Sequence, residues 1–218
     1  MKPIATRCRQ PRALRVSSLA ARRGFTLVEL MVVVIIISVL AVIAIPAITY
    51  QMRDRRTAEA AERIATLYRN ARLRAMGRGS AVLVSFDLTN ERVDVREAIR
   101  GGSGNACARL PMSSCTMTNW AATGAAAQSQ LLETLDLPQR AEYSGIALSG
   151  ATQLLEVCFT PMGRPVQRTV AGSTFAGMTG VPVISVTRSS GGQIAGLVRR
   201  VALLPNGLAR LSTAEHVL

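Results

Sequence analysis

A carboxylate inside an apolar run is the group in this chain whose chemistry most needs a partner. Glu29 lies four residues after Phe25 in FTLVELMVVVIIISVLAVIAIPAI, residues 25–48. An ionised carboxylate costs about 2.5–3.5 kcal/mol at the centre of a bilayer helix on insertion scales, and less near its ends. Such a group is kept where something pairs with it. The other reactive groups are sparse. His216 is the only histidine, so no Ser–His–acid set can be assembled with confidence in its geometry. Cys107, Cys115 and Cys158 are widely spread, and no Cys-x-x-Cys occurs, so no metal site is expected. Gly101-Gly102-Ser103-Gly104 lacks the Lys and the following helix of a phosphate loop. Asp87, Glu91, Asp94 and Glu97 fall on or beside a hairpin and read as solvated. Neither enzymatic activity nor a cofactor is expected.

The elements around Glu29 explain its setting. The chain has 218 residues, 49% hydrophobic, with 26 Lys+Arg against 13 Asp+Glu and a net charge of +13. Seven of the cations lie in residues 1–24, which hold no acid, leaving +6 for residues 25–218. The run from Leu30 to Ile45 carries no charge, and Ser38 is its one polar residue. At 1.5 Å per residue, residues 25–48 give about 36 Å, enough for a hydrocarbon core of about 30 Å. The run exceeds an ordinary signal-peptide core and precedes no small-x-small cleavage site. A membrane-crossing helix is expected. The basic leader places its N-terminus in the cytoplasm and the rest of the chain outside, where disulfides form.

The junction reads Arg22-Arg23-Gly24-Phe25-Thr26-Leu27-Val28-Glu29. It resembles the type IV prepilin signature: a basic leader, Gly, Phe-Thr-Leu-x-Glu, then an apolar helix. The resemblance implies that a prepilin peptidase in the bacterial inner membrane cuts between Gly24 and Phe25 and that the Phe25 amine is methylated. It also implies a partner for Glu29, the cationic amine of Phe25 in a neighbouring subunit, which would set the register of helix packing with other pilins or pseudopilins. Pro46 fits a pilin helix too, because it removes one N–H from the ladder and can kink or loosen it.

Beyond the run, Ala61, Ile64, Tyr68, Ala71 and Ala75 recur at helical spacing, and Gly77 and Gly79 end the helix. Arg63, Arg69, Arg72, Arg74 and Arg78 occupy its remaining surface. They read as solvated, or as facing acidic neighbours in a filament. From residue 81 the period becomes two. Strands are expected at 81–88, 92–96, 142–149, 154–160, 183–187, 197–204 and 208–211. Residues 100–130, within a variable region of about 100–140, read as a long loop with a short helix. The plan is α+β: a long N-terminal helix, transmembrane in its first half, packed on a C-terminal antiparallel β domain. The expected segments are a leader at 1–24, a membrane and assembly helix at 25–48, its periplasmic continuation at 49–79 and a β-rich domain at 80–218. Cys8 falls in the leader. A Cys107–Cys115 disulfide is favoured by closeness in sequence, with a bridge from either to Cys158 as the alternative.

Three further segments resemble the GspH/FimT pilin-like family. They are Arg72–Val82, the turn Phe159-Thr160-Pro161-Met162-Gly163-Arg164, and the closing turn Pro205-Asn206-Gly207. That resemblance implies a minor subunit of a type II secretion pseudopilus or a type IV pilus, acting at filament initiation or at the tip. An alternative is capture of DNA for uptake. Some members of that family hold DNA with a Gly-Arg-x-Arg turn. Here the stretch is Gly207-Leu208-Ala209-Arg210, with Leu208 at the first Arg position. Arg164, Arg199, Arg200 and Arg210 are the arginines placed to contact nucleic acid on that alternative.

Overall fold

The computed structural model describes residues 25–100, 110–190, 193–194 and 196–214, with backbone alone at 43, 46, 47, 50, 125, 190, 193 and 214. The architecture is α+β, a helix followed by antiparallel strands. The chain divides into two compact units, Met1–Ala47 and Ile48–Leu218.

Helix α1 spans Leu27–Arg78. It passes through position 46 as one helix, so Pro46 does not melt it. In the first unit every described large apolar side chain is exposed, from 42% at Val33 to 77% at Phe25. Among the described residues no helix is long and apolar enough to cross a membrane. The described side chains of α1 run unbroken only from Phe25 to Val42 before the gap at 43.

In the second unit α1 has a defined buried stripe: Thr57, Ala60, Ala61, Ile64, Tyr68, Ala71 and Ala75. These recur at three- and four-residue spacing, which keeps them on one face. The five apolar positions expected from the periodicity are all buried there. Most are Ala, a strong helix former whose small side chain lets a sheet approach closely. The helix stops at Gly79, whose φ of +65° is the left-handed conformation of a helix C-cap.

Two antiparallel sheets supply the rest of the core. The first contains β1 (Val82–Asp87), β2 (Arg92–Ala98), β3 (Ser129–Asp136), β5 (Leu154–Phe159), β6 (Pro165–Arg168) and β7 (Ala176–Gly177), in the spatial order β3-β2-β1-β5-β6-β7. The second contains β4 (Ile146–Gly150), β8 (Val183–Ser190), β10 (Val198–Leu203) and β11 (Ala209–Ala214), in the order β11-β10-β8-β4, with β9 (Gln193–Ile194) paired to β8. Val84, Phe86, Val157 and Phe159 of the first sheet, and Ile184, Val186, Val201 and Leu203 of the second, share one apolar cluster with the helix stripe. Tyr68 is its hinge-pin. Its ring meets Phe159 edge to face at 4.9 Å, and its hydroxyl donates to the Leu204 carbonyl at 3.1 Å. Burial pushes the Tyr68 phenol well above its ordinary range.

Strand alternation sends Leu83 and Cys158 to the opposite face of the first sheet. They form a second small core with Ala81, Ala98, Cys115 and Trp120. Both faces of β5 are therefore covered, and its residues 155–159 are all buried.

The structure departs from the sequence expectations at three places. Residues 129–136, inside the region read as variable loop, form β3. Only Leu135 of that edge strand is buried, so its period of two is faint. Strands β6 and β7 lie between 160 and 183, where no strand was expected, for the same reason: neither buries a residue fully. Finally, Cys115 bonds Cys158, with Cα atoms 6.0 Å apart, so the favoured Cys107–Cys115 pairing is replaced by the alternative. The cause is strand register. Cys158 sits opposite Leu83 on the outer face, where the 110–121 segment crosses. Cys107 lies outside the described residues, as do Cys8, Gly24 and His216.

Candidate functional site

The start of α1 is built by its own sequence. Thr26 is the N-cap: its hydroxyl accepts the Glu29 amide N–H at 3.2 Å, and its carbonyl accepts the Leu30 N–H at 3.1 Å. A Thr three residues before a Glu is the sequence form of a capping box. Glu29 thereby occupies the first turn, where the positive end of the helix dipole favours a carboxylate. The cap is a functional feature beyond the sequence expectations, and its signal in the sequence is the pattern Thr-x-x-Glu at 26–29. Phe25, the residue expected to carry the new N-terminus, is 77% exposed and precedes the helix. Gly24, on the other side of the expected scissile bond, lies outside the described residues.

At the far end of α1 the arginines have partners within the domain as well as solvent. Arg63 pairs with Glu133 of β3 at 3.7 Å, and Arg69 donates to the Ala209 carbonyl at 2.8 Å. Arg72 donates through Nε to the Gly163 carbonyl at 3.3 Å. Arg74 donates to Glu97 Oε2 through Nε at 3.0 Å and Nη2 at 2.8 Å, and Arg78 Nε lies 2.9 Å from Oε1 of the same carboxylate. Glu97 is only 2% exposed, so it too is not the solvated acid expected from its place near a hairpin. Ser80 adds a third hydrogen bond to it, donating to Oε1 at 2.9 Å. A buried carboxylate is tolerated only with such pairing. All five arginines contact the chain's own domain, while Arg69, Arg74 and Arg78 stay exposed.

Arg72 also explains two of the turn segments. Gly163 and Gly207 both have φ in the left-handed region, +74° and +77°. A Cβ on Gly163 would lie 2.7 Å from the Met76 sulfur and 3.2 Å from Arg72 Nε, and one on Gly207 would lie 2.3 Å from Arg72 Cδ. The β5–β6 turn and the β10–β11 turn thus close on the same arginine, and glycine is required at each.

On the outer face of the first sheet lies a cleft of about 510 Å³. Its floor holds Asp94, Ser85, Glu156 and Arg168, part of a polar row in register across five strands that Thr134 continues beyond the cleft. Thr134 donates to Asp94 at 2.6 Å, and Arg168 pairs with the buried Glu156 while its guanidinium covers the Phe175 ring at 4.4 Å. Trp120 forms one wall, its indole N–H donating to the Cys115 carbonyl at 2.9 Å. The row was hidden from sequence reading because its members come from five separated strands.

The four arginines named for nucleic acid are divided. Arg199 is bound to Asp54 at 2.8 Å and to Thr213 at 2.8 Å, on the helix-facing side of β10. Arg200, its neighbour in the strand, points to the opposite side and is exposed, as are Arg164 and Arg210.

Residues 19–45 match the family model of the prokaryotic N-terminal methylation motif. The chain carries a prepilin-type N-terminus. The match supports a type IV pilin-like or pseudopilin-like protein, processed by a prepilin peptidase and assembled with other pilins. The prepilin motif contains the capped first turn, with Thr26 and Glu29, and the exposed apolar residues that follow. No curated protein and no solved structure matches the chain.

Proposed function

We propose that the chain is a minor subunit of GspH/FimT type in a filament assembled at the bacterial inner membrane, either a type II secretion pseudopilus or a type IV pilus. Its role is structural rather than catalytic, at filament initiation or the tip. The observation that carries this reading is the methylation motif at 19–45 opening on a capped helix whose described large apolar side chains before residue 48 are all exposed. That surface needs another environment: first a bilayer, then neighbouring helices of the same kind. The whole sequence run from Phe25 to Ile48 supports a single crossing, with the N-terminus in the cytoplasm and residues 49–218 in the periplasm. The close approach of Gly163 and Gly207 to Arg72 supports the finer family reading, because three of the resembling segments meet there.

Cleavage after Gly24 leaves a cationic Phe25 amine. Glu29 of an adjacent subunit pairs with it, and pairing in a low-dielectric core favours one axial register. Co-expression with a prepilin peptidase should yield a mature chain beginning with N-methyl-Phe25, read by mass spectrometry. Glu29→Ala should be inserted and cleaved normally but excluded from filaments. A leader retained in assembled filaments, or normal incorporation of Glu29→Ala, would overturn the reading. Deletion of the gene, scored together for enzyme secretion and for surface pili, assigns the machine.

A further inference from the structure

Where the apolar run of α1 ends, the second unit gathers positive charge that its own acids do not neutralise. Arg53, Arg55 and Arg56 are exposed and lie five to eight residues beyond Ile48. At 1.5 Å per residue that is about 8–12 Å along the helix, the depth of a headgroup layer beyond a hydrocarbon edge. Helical geometry of about 100° per residue sets Arg53 and Arg56 on one side of buried Thr57 and Asp54 on the other.

The second sheet brings a fourth cation to the same turn. Asp54 is held by Arg199 of β10 at 2.8 Å. Arg199 is opposite Val186 of β8, and Arg188 is two residues further along that strand, on the same helix-facing side. Arg188 is also opposite Ile146, at the start of β4. The acids nearby are Asp54, committed to Arg199, and Glu59, which accepts from the Tyr143 hydroxyl at 3.5 Å. Among the described residues the side chains of Arg53, Arg56 and Arg188 make no hydrogen bond or ion pair, although the Arg53 carbonyl accepts from the Thr57 hydroxyl at 3.3 Å. Burial, with repulsion from Arg53 and Arg56, lowers the affinity of Arg188 for its proton. Elsewhere in this unit the helix arginines are paired with care, so an unneutralised trio is a cost that an external anion would remove.

We propose that Arg53, Arg56 and Arg188 form a docking surface for the phosphate headgroups of anionic phospholipids, seating the second unit on the membrane before assembly. Guanidinium forks suit phosphate oxygens, and cations close to an anionic membrane surface are attracted to it. Position favours lipid over an acidic protein partner, because the surface begins within one or two helical turns of the apolar run. The inference rests on the membrane-anchor reading above.

The test uses the full chain, purified in zwitterionic detergent and doped with either phosphatidylglycerol or phosphatidylcholine. Phosphatidylglycerol should raise the thermal midpoint by about 2–4 °C, and phosphatidylcholine should not. The R53Q/R56Q/R188Q variant should unfold at or above the undoped wild-type midpoint, since repulsion is relieved, and should lose the lipid response. An equal response to both lipids, or a response kept by the variant, overturns the proposal. So does an unresponsive wild type whose filament incorporation alone falls on substitution, which would mark an acidic subunit as the occupant. Alkaline carbonate extraction of expressing membranes separates the two readings. Release of the chain rejects the anchor, whereas retention without a lipid shift rejects only the headgroup surface.

Discussion

The two parts of α1 are made of the same hydrogen-bonded backbone but stabilised by different surroundings. Residues 25–47 present apolar side chains on every described side, and the only described side-chain hydrogen bonds are local: Thr26 at the cap and Ser38 to the Val34 carbonyl at 2.7 Å. Residues 48–78 bury one narrow stripe, largely alanine, and pair the arginines from Arg63 to Arg78 with the domain. The first part has an identity that changes little along its length, as expected of a segment whose neighbours are lipid or like helices. The second part is specific, because each of those five arginines has a receptor at a defined place. A helix uniformly apolar around its circumference is stable only when covered on all sides, whereas an amphipathic one needs cover on a single face.

This contrast can be broken most forcefully at Glu97. Replacing both Arg74 and Arg78 by Met leaves a carboxylate 2% exposed with Ser80 as its remaining partner. Uncompensated buried charge costs roughly 3–5 kcal/mol, so chemical unfolding of the full chain in detergent should shift by that much. If the double variant unfolds like wild type, the arginines are not staples.

Next in size is the disulfide. Cys115 and Cys158 are 43 residues apart, and losing a bridge across such a loop costs roughly 2–4 kcal/mol. Cys115→Ala should also release hydrogen-exchange protection in residues 110–121 while sparing the helix stripe. Uniform loss of protection would contradict the separate outer core.

A finer test compares two glycines. Gly172, with φ +78°, has open space where a Cβ would stand, and Gly207 has Arg72. Gly172→Ala should cost about 1–2 kcal/mol from backbone strain alone. Gly207→Ala should cost more, by the displacement of Arg72. Equal losses would remove the clamp around that side chain.

The smallest effect sharpens the comparison from the other side. Ile36 is 53% exposed. Ile36→Ala should leave the domain's unfolding midpoint within about 0.5 kcal/mol of wild type, as surface changes do, while the same change at buried Ile64 costs roughly 2–5 kcal/mol.

Much of this was legible from the residues. The cap and carboxylate at the start of α1, the buried stripe at Ala61, Ile64, Tyr68, Ala71 and Ala75, and the stop at Gly79 are local patterns with fixed periods. The strands that bury a full face were legible for the same reason. Edge strands β3, β6 and β7 were not, since a strand that buries little has no strong alternation to read.

What the sequence determined by itself is the order of elements, the capped prepilin-type helix and its division into an all-apolar and an amphipathic part. These follow from contacts within one or two turns or along one strand. Tertiary structure alone decided which charges are free. Arg74 and Glu97 are 23 residues apart, Arg72 and Gly163 are 91 apart, and Asp54 and Arg199 are 145 apart. Pairing at such separations depends on strand order and register across two sheets. The bond between Cys115 and Cys158 was decided in the same way: closeness along the chain favoured Cys107, but the pleat of β5 turned Cys158 toward the segment that Cys115 crosses.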